Sequence, residues 1–133
     1  MNLDAYLQAM DGEPFVWGKT DCLNFTSSAL EVMGRAPLPM QWLKGYSTGK
    51  GAMLRYERMR RLSHYEDLIE ALSETYKPTE TLRPKSGTLF ARPANGPLGY
   101  CFGIVHKGKA WVMDEPDGLT SIEIEAGDLL WKT

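Results

Sequence analysis

Over the first half of the chain, apolar residues recur three and four positions apart. Over the last third they gather into short β-type runs between turn residues. Leu3, Tyr6, Leu7 and Met10 follow the i, i+3, i+4, i+7 rule and predict a short amphipathic helix over residues 2–10, stopped by Asp11-Gly12. Beyond a loop through Pro14, Cys22, Phe25, Ala29 and Met33 form one stripe of a second helix, with Asn24, Ser27, Ser28 and Glu31 on its other side. Thr20 or Asp21 caps its start and Gly34 closes its end. Pro37 and Pro39 break the chain, and helix resumes after Gly51. Ser63 with Glu66 reads as a capping box for a further helix, whose inner face is Tyr65, Leu68, Ile69 and Leu72.

From Lys77 the period changes. "SGTLFAR", "YCFGIVHK", "KAWVMDE", "LTSIEIE" and "DLLWKT" are strand-like and separated by Gly, Pro and Asp turns, and "HKGKAW" carries the glycine of a tight hairpin. Helices first and an antiparallel meander afterwards predict an α+β fold, with the helices packed on one face of the sheet. No repeat or linker divides the chain, so residues 1–133 are expected to form a single domain.

Composition narrows the function classes. The chain is 43% hydrophobic and 24% charged, and a chain of this length buries roughly two-thirds of its unfolded surface, enough for one core. A net charge of −2 gives no general attraction to nucleic acid. Locally, Lys44, Lys50, Arg55, Arg58, Arg60 and Arg61 stand against Glu57 alone, which reads either as a solvated helix face or as a surface for an anionic partner. The two cysteines form no CxxC and no zinc-spaced cluster, so neither a disulfide scaffold, a metal nor a cofactor is expected. Acids replace the basic start of a secretory signal, and no run approaches the roughly 18 apolar residues of a membrane span.

The candidate chemistry is a thiol. Cys22 falls in the first turn of its helix, where unpaired N–H groups and the macrodipole favour a thiolate and offer an oxyanion hole. It equally suits a small core position. Trp17-Gly18 reads as the lid of a cleft or as core and turn. "GYSTGKG" lacks the spacing of a phosphate loop and reads as a flexible loop. Asp114, Glu115 and Asp117 crowd one turn, as a cation site or as solvated acids. Trp42, Tyr46, Trp111 and Trp131 are core or interface anchors.

"WGKTDC" opening a helix, then "SGTLFA" and "CFGIVHKGKAWVM", resembles the NlpC-like cell-wall peptidases, a papain-like cysteine peptidase superfamily. More narrowly, "WGKTDCLNFTSSALEVMGR", "KGYSTGKGAMLRY" and "DGLTSIEIEAGDLLWKT" look like a group of phage and prophage tail-associated proteins, with a match running from Phe15 to Trp131. The resemblance implies a papain-like NlpC-type fold with Cys22 as nucleophile. It also places Cys101 where that superfamily carries its histidine, and Met113, one step from Asp114, where a polar residue orients the imidazole. His106 is then the candidate base paired with Cys22, although strict alternation aims it away from the Cys101 face and roughly 16 Å further along the strand; His64 is the other histidine. A thiol at the histidine site would face Cys22 across the old cleft, able to close a disulfide.

Two functions follow from the resemblance. One is a cysteine hydrolase acting on peptidoglycan peptides from a phage tail. The other is a pseudoenzyme, a structural or interaction module of the tail tip or its assembly. Its partners would be other tail proteins and its place the virion or the host cytoplasm during assembly, with no membrane or specific nucleic acid involved. The absent histidine favours the second.

Overall fold

The computed structural model describes residues 2–38, 44–63 and 65–133. Four helices come first: α1 (Leu3–Met10), α2 (Cys22–Val32), α3 (Gly49–Leu62) and α4 (Leu68–Thr75). Six strands follow: β1 (Lys77–Thr79), β2 (Leu89–Pro93), β3 (Tyr100–His106), β4 (Lys109–Asp114), β5 (Gly118–Glu123) and β6 (Leu129–Lys132). The fold is α+β.

Side chains set the helix ends. Asn2 caps α1 by accepting from the Ala5 N–H at 2.8 Å, and Asp21 caps α2 by accepting from the Asn24 N–H at 3.0 Å. Gly34, at φ +72°, ends α2 in a Schellman arrangement, with Arg35 N–H donating to Leu30 O and Gly34 N–H to Glu31 O. Helix α3 starts at Gly49, earlier than the sequence suggests, because the Thr48 hydroxyl accepts from the Gly51 N–H. Ser63 closes α3 instead of opening α4, since its hydroxyl is engaged by Tyr65. Asp67 caps α4 in its place, Glu70 reaches back to the Glu66 N–H, and the Tyr56 hydroxyl accepts from Leu68 N–H.

The buried face of α2 is wider than its predicted stripe. Leu23 and Leu30 are fully buried, and so is nearly all of Ser27, whose hydroxyl has no partner among the described residues. The cause is that α2 lies between α1 and the sheet and is covered on two sides. The Tyr6 hydroxyl donates to Phe25 O, and the two rings stack at 5.6 Å.

The strands form one antiparallel sheet in the order β1-β6-β2-β3-β4-β5. Only β2 to β5 are a meander; β6 returns to the free edge of β2, and β1 pairs outside it. At the β3–β4 turn Lys107 and Gly108 take φ of 51° and 82°, the two left-handed residues of a tight hairpin. Alternation along the strands separates two apolar clusters. Leu89, Ala91, Phe102, Ile104, Met113 and Trp131 join the helices in the main core, with Trp131 anchored by its indole N–H on the Ser73 hydroxyl. Phe90, Val105, Ala110, Val112 and Leu130 form the other cluster. No helix among the described residues is long and apolar enough to cross a membrane.

Candidate functional site

The segment before α2 is built around one buried carboxylate. Asp21 is fully buried and accepts from Gly18 N–H (2.8 Å), Asn24 N–H (3.0 Å), the Asn24 side-chain amide (3.0 Å) and the Tyr46 hydroxyl (2.8 Å). These bonds compensate its loss of water and tie the Gly18 turn and the Tyr46 loop to the start of α2. Gly18 has φ +83°, and a Cβ there would run into the Tyr46 carbonyl oxygen, so the backbone approach its missing side chain permits is made by this chain itself. Trp17 packs edge-on between Phe15, at 4.9 Å, and Tyr46, at 6.5 Å, and lies against Gly49 at the start of α3. The "WGKTDC" segment is thus a clamp joining two loops to a helix. Trp42 lies outside the described residues.

Cys22 is the first residue of α2 and is 8% exposed. Burial, then the nearby Cys101 sulfur and the Asp21 carboxylate, push its pKa up to about 12; the backbone N–H groups of Phe102 and Leu23 pull the other way and lose. The helix macrodipole is outweighed because it supplies a fraction of a charge, whereas desolvation penalises a whole one. At neutral pH the Cys22 thiol is therefore protonated.

The histidines do not supply a base at this thiol among the described residues. His106 sits on the helix-side face of β3, with Nε2 3.2 Å from Asp4 Oδ1 of α1. It lines a surface cavity of about 380 Å³ with Leu7, Trp111 and Leu119. Phe102, whose N–H is the one beside Cys22, lies about 13 Å back along the strand, at about 3.3 Å per residue. His64 lies outside the described residues.

Side chains alternate along β3 as expected, but the faces are exchanged. It is Cys101 that leaves the helix face, packing against the second cluster near Arg92 and Asp114, while Phe102 and His106 share the face of Cys22. Burial and the Asp114 carboxylate push the Cys101 thiol up to about 11, against the opposing pull of Arg92. Both thiols are free, and the disulfide that the resemblance would allow across the cleft is not formed in this structure. Met113 is a core residue, and no polar side chain stands in its place. Asp114, Glu115 and Asp117 do not converge: no three His, Cys, Asp or Glu side chains among the described residues could hold a metal ion.

Two features escape the sequence. The Tyr46–Asp21 bond spans 25 positions and carries no local signal. Arg92 bonds Asp128 through two nitrogens, at 2.7 and 2.8 Å, and Glu123 O at 2.8 Å, with its guanidinium 5.5 Å over the Phe90 ring. A lone arginine inside "LFARP" was its only sign.

Fold and site together define an α+β domain with a clamped, buried cysteine at a helix N-terminus. The chain belongs to DUF6950, a domain of unknown function, whose family model matches residues 1–133. No curated protein and no solved structure matches it.

Proposed function

We propose that this chain is a structural and interaction module of a phage tail, serving in its tip or assembly, on a papain-like NlpC-type fold with a silent active site. The observation that carries the silence is the Cys22 thiol: buried, pushed up to about 12, and without an imidazole partner among the described residues. A thiol acts as a nucleophile only when ionised, and amide cleavage also needs an acid for the leaving amine. Support for the fold reading is the order of elements, with a cysteine opening α2 and the "CFGI" strand β3 beside it. Support for the tail is the likeness of the quoted segments to phage tail-associated proteins.

The test is chemical. Purified protein is incubated with peptidoglycan and, separately, titrated with a thiol-directed probe across pH. The module reading expects no muropeptide release and only slow, non-saturable labelling at neutral pH. Saturable neutral labelling and peptide release, both lost in Cys22→Ala, would replace it with the cysteine hydrolase.

A further inference from the structure

Helix α3 commits little of its surface to the core. It buries Ala52 and Tyr56, with Met59 packed beside them, and turns outward a stripe of Lys50, Leu54, Arg58 and Arg61. Leu54 is 57% exposed, and Leu62 at the flank of the stripe is 68% exposed. The one acid of the helix, Glu57, is bonded to Arg60 at 3.0 Å. Among the described residues no ion pair engages Lys50, Arg58 or Arg61. An unpartnered surface that mixes large apolar side chains with cations is suited to an apolar site with an acidic rim.

The same chain carries such a site. A groove of about 810 Å³ runs between α4, β1 and the turn before β6, floored by Ile69, Leu129 and Trp131 and walled by Leu82, itself 69% exposed. Glu80 and Glu125 stand on its rim. Glu125 reaches only as far as a 3.8 Å contact with Arg92, and Glu80 has no ion-pair partner among the described residues. A chain cannot fill this groove with its own stripe. The inner face of α3 is packed on the body, its Tyr56 hydroxyl is bonded to the first N–H of α4, and the stripe faces the other way.

We propose that the groove receives α3 from a second copy of this chain, Leu54 and Leu62 entering the apolar floor while Arg58 and Arg61 meet Glu80 and Glu125. The fit is one of distribution and not of net charge. Five cations and one acid lie on α3 in a chain whose total is −2, so the rest of the surface is acidic and copies attract in one orientation. This inference rests on the reading of the chain as an assembly module and names a partner for it.

Analytical ultracentrifugation of the full chain at rising concentration, in low and high salt, tests it. Mass above the monomer at low salt, falling as salt rises, is the expected result. Arg58→Glu with Arg61→Glu, and separately Glu80→Lys with Glu125→Lys, should each weaken association at least about tenfold while circular dichroism is unchanged. Mixing the two variants should restore it, because the reversed charges are complementary. A wild-type monomer at every concentration overturns the proposal, as does association that neither variant changes, or a monomer that sediments with phosphatidylglycerol vesicles through α3. These readouts are separate from the thiol chemistry. A monomer with an inert thiol removes self-docking alone, and an active thiol in an associating protein removes the module reading alone.

Discussion

Replacing Asp21 by alanine separates a structural carboxylate from a catalytic one. The substitution removes the cap of α2, which costs about 1 kcal/mol. It also strips the acceptor from the Gly18 N–H, the Asn24 side-chain amide and the Tyr46 hydroxyl, all part-buried. A donor left without a partner in such a setting costs about 1 kcal/mol, at the low end of the range because water can reach it. The total is about 3–4 kcal/mol, and for a domain of this size each kcal/mol lowers Tm by about 3–4 °C, so a fall of about 10–15 °C is expected. Tyr46→Phe removes one of these bonds and should cost about 1 kcal/mol. Because both act on the same contact, the double variant should be less destabilised than the sum of the singles. Urea and thermal unfolding followed by circular dichroism measure all of these. A loss below about 1 kcal/mol for Asp21→Ala, with the Tm unmoved, would refute the clamp and return the carboxylate to candidate chemistry.

Other outcomes follow from the same geometry. Gly18→Ala combines a left-handed φ of +83° with a clash against the Tyr46 carbonyl and should destabilise by about 2 kcal/mol or more, read in the same unfolding assay. Burial would raise the Asp128 pKa, but the hydrogen bonds from Arg92 and the Glu125 N–H outweigh it and hold the carboxyl below its usual range. A depressed folded value means stability that is present above the unfolded value of about 3.9 and lost as pH falls through the folded one. Arg92→Met should therefore cost about 2 kcal/mol at neutral pH, and the gap from the wild type should shrink in acid. Mild oxidation should leave two free thiols by non-reducing mass spectrometry, because Cys101 faces the cluster on the far side of the sheet; a Cys22–Cys101 disulfide would sink the facing assigned to β3.

The sequence made some elements readable and hid others, for physical reasons. Helices α1 and α2 are plain in the spacing of Leu3, Leu7, Phe25 and Ala29, and the hairpin at Lys107-Gly108 in its glycine, because each is decided within one or two turns of chain. The start of α4 is misread because Ser63-x-x-Glu66 and Asp67-x-x-Glu70 are both plausible caps, and the choice is made by the end of α3 and by Tyr56. The return of β6 to β2 has no local signature, so a simple meander is the natural expectation. At the site, the position of Cys22 is legible and its ionisation is not. A helix start is written in the sequence, whereas burial depends on Phe102 and the strand that carries it, which arrive from a distant part of the chain.

The central claim is that Cys22 is a protonated core thiol, and its titration tests that most directly. In a Cys101→Ala background, thiolate absorbance and the rate of iodoacetamide alkylation are followed from neutral to alkaline pH. The account predicts no inflection below about pH 10, with alkylation at neutral pH limited by unfolding. An inflection at or below neutral pH, in protein that is still folded, would contradict it.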